Sequence, residues 1–214
     1  LSVLDLSVLV PFIIASLVIT VTPGPDIFLL IRNTLRSGVK TGFITMAGIF
    51  TGVGIIAALM ISGVGLIVSQ SETGLMILQI AGGGYLLYLA LGSAWQARRL
   101  VKSLPNSTQE PEVARSKTSP YLTGMFTNLT NPKVVVFFVA FFPQFLGTAE
   151  NVTLQLVFLT SIFVFLAAGF EVLIVSAAGR MRELLSARKF QIGMEITVSV
   201  VFIALALSLL VGSV

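Results

Sequence analysis

The sequence predicts an all-α integral membrane protein with six transmembrane helices arranged as an inverted 3+3 repeat. The first observation is composition: 56% of the 214 residues are hydrophobic and only 10% are charged, with a mean hydropathy of +1.01. The second is that several apolar runs approach or exceed the ~20 residues that cross a bilayer as a helix. We place six spans, at about residues 6–31, 41–68, 75–95, 120–146, 152–178 and 190–212.

The third observation is a short internal similarity. At a constant offset of 107 residues, 20–26 aligns with 127–133. The alignment matches proline with proline and places the acid Asp26 opposite the base Lys133. It predicts the kind of internal repeat on which many transporter folds are built. We divide the chain into one membrane domain at 1–214, a first three-helix repeat at 1–95, a cytoplasmic linker at 96–119 and a second three-helix repeat at 120–214.

Charge between the runs predicts the topology. One set of loops is basic, with Arg32, Arg36, Lys40, Arg98, Arg99, Lys102, Arg115, Lys117, Arg180, Arg182, Arg188 and Lys189. The opposite side carries Asp5, Glu72 and Glu150. Because basic loops stay in the cytoplasm, both termini are expected outside it. Three spans in each half then invert the second half relative to the first.

The first span is expected to break at Thr22, Pro23, Gly24 and Pro25. Thr22 is a suitable N-cap, and Pro23 suits the first position of a new helix. Asp26 would then lie in the first turn, where the helix dipole favours an anion.

The fourth span breaks at Asn128-Leu-Thr-Asn-Pro-Lys133. Asn131 and Pro132 repeat the order of cap and proline, and proline interrupts a helix. Lys133 falls inside the apolar run, where an unpartnered charge is costly and usually marks a functional site. Two breaks flanked by ionisable residues favour a site between them; the plainer alternative is that each proline only kinks its helix.

The second span is rich in glycine. Gly48 and Gly52 have the spacing that lets two helices approach closely. They are interpreted as helix-packing positions, and the functional alternative is that they let this helix slide against the broken ones.

Two acids lie within later spans. Glu171 lies deep in the fifth run, and a buried carboxyl can bind and release a proton, so we assign it to proton coupling. The alternative is a structural partner for a lysine or hydroxyl. Glu195 is close to the start of the last run, where pairing with Arg188 or Lys189 is the expected role.

Composition also excludes classes of function. The chain has no cysteine and no histidine, which argues against disulfides, thiol redox chemistry and metal sites built on those ligands. We expect no cofactor, no metal and no catalytic residues, and no nucleic-acid partner, since the basic residues flank apolar runs. A serine hydrolase would lack a histidine base, and only Asp26 would serve an intramembrane aspartyl protease.

Five motifs together resemble a known family. They are Thr22-Pro-Gly-Pro25, Ala47-Gly-Ile-Phe-Thr-Gly52, Gly83-Gly-Tyr-Leu86, Phe126-Thr-Asn-Leu-Thr-Asn-Pro-Lys133 and Phe142-Pro-Gln-Phe145. The pattern resembles the LysE/RhtB family of bacterial amino-acid exporters, and is closer to the homoserine/threonine/leucine-type branch. The resemblance implies proton-driven efflux of amino acids or their derivatives across the cytoplasmic (inner) membrane, and a homodimer or higher oligomer. Phe50 stands where related chains often carry a polar residue, which would favour an apolar substrate.

These inferences give a hypothesis for the site. An amino acid is a zwitterion, so Asp26 is assigned to its ammonium group and Lys133 to its carboxylate, which backbone donors after Asn131 would also meet. Asn128 and Asn131 would orient it, and Asp26 could pair with Lys133 when no substrate is bound. The alternatives are an exporter of another small solute or ion on the same fold, and a membrane assembly protein without transport activity.

Overall fold

The fold is that of a helical membrane protein in a computed structural model that describes residues 3–22, 24–70, 72–102 and 119–211. In these ranges eight α-helices follow one another, with a π-helical segment (Phe137–Phe141) and a 3₁₀ segment (Phe142–Phe145) between α6 and α7. The helices are α1 Leu9–Val21, α2 Pro25–Ser37, α3 Val39–Gln70, α4 Glu72–Lys102, α5 Pro120–Leu129, α6 Pro132–Val136, α7 Val152–Ser186 and α8 Arg188–Val211.

Within the described ranges, three helices are long and apolar enough to cross a membrane, namely α3, α7 and α8. Two bent pairs raise the number to five: α1 with α2, bent by 50°, and α5 with the segments that follow it to Phe145, bent by 48°. The third predicted span, at 75–95, corresponds to α4, which is not among these five, so six spans and an inverted repeat stay predictions. Helix α4 also continues through Lys102, past the predicted start of the linker at Gln96; residues 103–118 lie outside the described ranges.

At the first break, the residue that caps each helix differs from the prediction. Thr22 ends α1, because its N–H and its hydroxyl both bond the carbonyl of Val18, at 3.0 and 2.6 Å. Its extended ψ of 117° is the conformation that a following proline imposes. Gly24 precedes α2, and Pro25 is its first residue. The prediction that Thr22 caps the second helix is therefore wrong, and Pro23 lies outside the described residues.

The second break matches its expected form. Asn131 is the N-cap of α6, its side-chain oxygen accepting the N–H of Lys133 at 3.1 Å, and Pro132 is the first helical residue. The N–H groups of Val134 and Val135 both bond the carbonyl of Asn131, at 3.1 Å each. The early backbone donors of this short helix are thus already used.

Helices α3 and α5 approach each other at backbone distance. A Cβ added to Gly48 would overlap the carbonyl of Tyr121, and one added to Gly124 would overlap the carbonyl of Thr45. A Cβ at Gly52 would lie 2.8 Å from Oδ1 of Asn128. Small residues on both helices therefore hold α5, and with it the second break, against α3.

A cluster of phenylalanine rings fills the core beyond the second break. Neighbouring ring centroids lie 4.8 to 6.0 Å apart, within the range of favourable aromatic contacts. The rings belong to Phe12, Phe137, Phe138, Phe141, Phe142, Phe145 and Phe163. They pack α1 and α7 around the π-helical and 3₁₀ segments.

At the end of the molecule where α1 and α7 begin, Asp5 joins the two halves of the chain. One carboxylate oxygen accepts the N–H and hydroxyl of Ser7, at 2.9 and 2.6 Å, and the other accepts the N–H and hydroxyl of Thr148, at 2.8 and 3.0 Å. The buried side chain of Gln155 bonds the main chain of Asp5 in both directions, at 3.1 and 2.9 Å. Gly147 has φ +57°, and a Cβ there would overlap the carboxylate. We call this set of contacts the Asp5 clasp.

The Asp5 clasp makes the stability of the fold depend on pH. Hydrogen bonds from the Ser7 hydroxyl, and then from the backbone of Thr148 and Ser7, hold the pKa of Asp5 well below its usual range. A carboxyl with a depressed pKa stabilises the fold at neutral pH, and this contribution is lost as pH falls below the unfolded value of about 4. Asp5→Asn should therefore lower the unfolding temperature of the detergent-solubilised protein at pH 7, and its deficit should shrink as the pH is lowered below ~4.

Glu150→Gln is the control for this measurement, because Glu150 is an exposed acid in the loop that contains Thr148. It should unfold with the wild type at every pH. An Asp5→Asn deficit that stays constant with pH would contradict the assignment.

Candidate functional site

The two helix breaks meet around Asp26. Its Oδ2 accepts hydrogen bonds from Nδ2 of Asn128 at 2.9 Å and Nδ2 of Asn131 at 2.7 Å. The acid comes from the first turn of α2, and the two amides come from the end of α5 and the cap of α6. Asp26 is 6% exposed, and each asparagine is 1% exposed. A buried carboxylate is thus held by two amides that the other half of the chain supplies.

Lys133 is buried nearby and uses a different set of partners. Its Nζ donates to the carbonyl of Thr22 at 2.7 Å and to that of Ile19 at 3.1 Å. These carbonyls lie in and just after the last turn of α1, where oxygens lack helical partners and the helix dipole favours a cation. The side chain passes over Gly24, where an added Cβ would lie 3.3 Å from both Cε and Nζ. The absence of a side chain at Gly24 keeps this path open.

The expected pairing of Asp26 with Lys133 does not occur in this structure. Within the described residues, no ion pair joins them, since the acid is bound by amides and the ammonium by carbonyls. The two charges remain close enough to interact electrostatically. Asp26 was the natural partner for Lys133 when only side chains were considered. The main-chain carbonyls that a broken helix exposes were not considered as partners.

Glu171 of α7 is the third ionisable group of the site. It is 8% exposed, and its charge interacts with those of Asp26 and Lys133. Its Oε2 is buried with no hydrogen-bond partner among the described residues. The structure therefore brings together Asp26, Asn128, Asn131, Lys133 and Glu171, five residues chosen from different parts of the sequence.

Two further oxygens in the site have no hydrogen-bond partner in the described part of the chain. They are Oδ1 of Asp26 and Oδ1 of Asn128, and their side chains are already joined through Oδ2 and Nδ2. With Oε2 of Glu171, all three unpartnered atoms of the site are acceptors. Buried acceptors are normally satisfied, and an ammonium group has three N–H donors to offer.

Sequence reasoning missed two contributors on α1. The carbonyls of Ile19 and Thr22 carry no side-chain signal; only the position of the helix break indicates them. On the same helix, Ser16 and Thr20 have buried hydroxyls without partners among the residues described.

Glu195 does not have the partner expected for it. Its carboxyl accepts a hydrogen bond from the side chain of Ser93 on α4. Arg188 instead donates to the carbonyls of Leu100 and Val101 at 2.7 and 2.8 Å. The predicted pairing of Glu195 with Arg188 is wrong, because the arginine bonds two main-chain carbonyls at the end of α4.

The family model described as LysE type translocator matches residues 17–213, so the chain belongs to this family. Its membership and its apolar helices make it a multi-pass membrane protein.

The individual relatives that match the chain have low sequence identity to it. The chain is 29% identical over 188 residues to an uncharacterized membrane protein, YrhP, of Bacillus subtilis, covering 86% of this chain and 89% of that one. It is 28% identical over 135 residues to a leucine efflux protein of Klebsiella pneumoniae, and 29% identical over 139 residues to one of Salmonella choleraesuis. Each of these two matches covers 63% of this chain and 61% of the relative. No solved structure matches the chain significantly.

The contact between Gly52 and Asn128 gives a test of the site's geometry. Gly52→Ala would place a methyl group 2.8 Å from Oδ1 of Asn128 and 3.0 Å from the carbonyl of Met125, so the backbone or the asparagine must move. Overpacking of this kind costs about 1–3 kcal/mol. We expect a lower unfolding temperature in detergent and weaker substrate binding.

Gly54→Ala is the matched control, because Gly54 lies on the same helix and a Cβ there meets no atom within 4 Å. It should leave stability unchanged or raise it slightly, since alanine favours helix over glycine. Equal effects of the two substitutions would mean that Asn128 is not held against Gly52.

Proposed function

We propose that this protein is a secondary transporter that exports neutral amino acids from the cytoplasm by proton antiport. Leucine, threonine, homoserine or their derivatives are the proposed substrates. Membership of the translocator family supports the class of function. Two relatives are named as leucine efflux proteins, which supports the substrate class. The observation that carries the proposal is the buried set of an acid, a base and two amides at the meeting point of the helix breaks.

The substrate's ammonium group is assigned to Asp26 and Asn128. Their free Oδ1 atoms are acceptors on hydrogen-bonded side chains, and Asp26 adds a full negative charge. Asn131 holds the second contact to Asp26 and so fixes the direction of the carboxylate. Charge-assisted hydrogen bonds of this type are stronger than neutral ones.

The substrate's carboxylate is assigned to Lys133. An ammonium group has three donors, and carbonyls use two of them here. The third donor has no partner among the described residues and is assigned to a carboxylate oxygen of the substrate. Backbone donors at the start of α6 do not contribute, since Asn131 already occupies them.

Glu171 is assigned to proton coupling, because its protonation removes a negative charge that favours binding of the substrate's ammonium group. When Glu171 is ionised, its negative charge adds to that of Asp26 and favours binding of the ammonium group from the cytoplasm. A proton arriving from outside removes that charge, weakens binding and favours release outside. Return of the proton to the cytoplasm restores the ionised acid, so one amino acid leaves as one proton enters.

An apolar substrate side chain suits the surroundings of the site. Lys133 is followed on α6 by Val134, and the phenylalanine cluster begins one turn further on, at Phe137. Phe50 of α3 is partly buried against the same core. Few polar groups are available there to bind a polar side chain, which favours leucine within the proposed class.

Flux measurements on reconstituted protein test the proposal. Proteoliposomes with an acidic interior should take up labelled leucine saturably, and threonine or homoserine to a lesser extent, in exchange for protons. Lysine and arginine should not be taken up. Lys133→Ala should reduce leucine uptake about tenfold or more, because a hydrogen bond to a charged group contributes ~1.5–3 kcal/mol.

Lys189→Ala serves as the control for the loss of a positive charge, because Lys189 is exposed at the start of α8. Its uptake should equal that of the wild type. If folded, reconstituted protein carries no amino acid under any gradient, the proposed substrate class is wrong, and other small solutes and ions become the candidates.

Glu171→Gln tests coupling separately from binding. The variant keeps the size of the side chain and one acceptor oxygen, replaces the other oxygen with an NH₂ donor, and cannot ionise. It should still exchange labelled for unlabelled leucine, although with lower affinity, while the pH gradient should no longer drive net uptake. Glu195→Gln, which removes an acid bound to Ser93, should keep gradient-driven uptake. Unchanged pH-driven flux in Glu171→Gln would remove this residue from the mechanism.

A further inference from the structure

A groove between α4 and α8 lies away from the site described above. Its cavity has a volume of about 350 Å³, within the range of small-molecule sites. Its walls are mostly apolar, with Ala94, Ala97, Ile192, Ile196 and Val200 among them. Arg98 and Lys102 also line it, and they lie one helical turn apart on α4. The groove is therefore apolar along most of its length and positively charged at one end.

The basic loops predict that the charged end lies at the membrane surface, on their side of the bilayer. α4 ends at Lys102 and α8 begins at Arg188, and the two ends are joined by the hydrogen bonds from Arg188 to Leu100 and Val101. From Lys102, the lining extends back along α4 to Ala94, a helical rise of ~12 Å. The apolar part thus extends from the surface into the hydrocarbon region.

We propose that this groove binds an anionic phospholipid from the leaflet on the side of the basic loops. The headgroup phosphate would contact Arg98 and Lys102, and one acyl chain would lie along the apolar walls. Basic pockets between transmembrane helices are known binding sites for anionic lipid headgroups. The length of apolar wall below the two cations matches a ligand with a charged head and an apolar tail.

The charged residues near Arg98 and Lys102 have other partners. Arg188 is bound to backbone carbonyls, and Arg99 lies over the Trp95 ring at 4.6 Å. Glu195, on the facing helix, accepts a hydrogen bond from Ser93. In the described part of the chain, no carboxylate forms an ion pair with Arg98 or Lys102. Among the described residues these two cations thus have no acid partner, and an anionic headgroup would supply one.

Other occupants fit less well. In a two-fold symmetric dimer both copies present the same surface, so the interface would contain two sets of Arg98 and Lys102 with no acid in the groove lining to pair with them. A free phosphate would neutralise the cations but leave the apolar walls uncovered. A phospholipid satisfies both parts of the groove.

Native mass spectrometry of the detergent-purified protein tests this proposal. Delipidated protein is titrated with phosphatidylglycerol, phosphatidylcholine or inorganic phosphate. We expect saturable binding of phosphatidylglycerol that is tighter than binding of phosphatidylcholine, and no binding of phosphate alone. Each cation near a membrane surface contributes about fivefold to affinity, so Arg98→Gln with Lys102→Gln should weaken phosphatidylglycerol binding roughly 25-fold.

Two further variants make the test specific. Lys189→Gln removes a cation at the same end of the molecule but outside the lining of the groove, and should bind phosphatidylglycerol normally. Ala94→Phe fills the apolar part without changing charge, and should weaken lipid binding. Equal binding of the two lipids, or an equal loss in Lys189→Gln, would overturn the proposal. So would a dimer that forms without lipid and is lost in Ala94→Phe, since a second copy would then occupy the groove.

Discussion

Burial of the Lys133 ammonium on main-chain carbonyls is the interaction on which the rest of the structure depends. A cation inside the membrane needs partners, and the end of α1 supplies them because the chain leaves the helix after Thr22. The carbonyls of Ile19 and Thr22 accept from the ammonium, and Gly24 gives it room to reach them. The carbonyls at the helix break and the ammonium of Lys133 thus bond one another, although 111 and 114 residues of sequence separate them.

The same region satisfies the opposite charge with different chemistry. Asp26 receives two amide N–H groups from the second break, so each break supplies partners for the charge that the other half provides. Gly52 and Gly124 let α3 and α5 approach until Asn128 is fixed in place. Acid and base are therefore held as neighbours without an ion pair, and each retains some capacity to bind another group.

Much of this arrangement was predictable from sequence, because charges and prolines within apolar runs are costly and conspicuous. The two broken helices, and the gathering of Asp26, Asn128, Asn131, Lys133 and Glu171, follow from that cost. The hydrogen-bond partners of these charged groups could not be predicted from the sequence. The sequence does not distinguish one main-chain carbonyl from another, so the carbonyl partners of Lys133 and Arg188 could not be predicted. Thr22 caps the end of α1, whereas the proline pattern predicted that it would cap the start of α2.

The contact between Asp26 and Asn128 joins residues 102 positions apart, and this separation has a consequence for biosynthesis. At ~5–20 residues per second, the ribosome makes Asn128 roughly 5 to 20 s after it has made Asp26. Lys133 finds its carbonyl partners already made, whereas Asp26 must wait for both of its amides. During insertion, the first half of the chain therefore has to keep an unpartnered carboxyl protonated or close to water until the second half arrives.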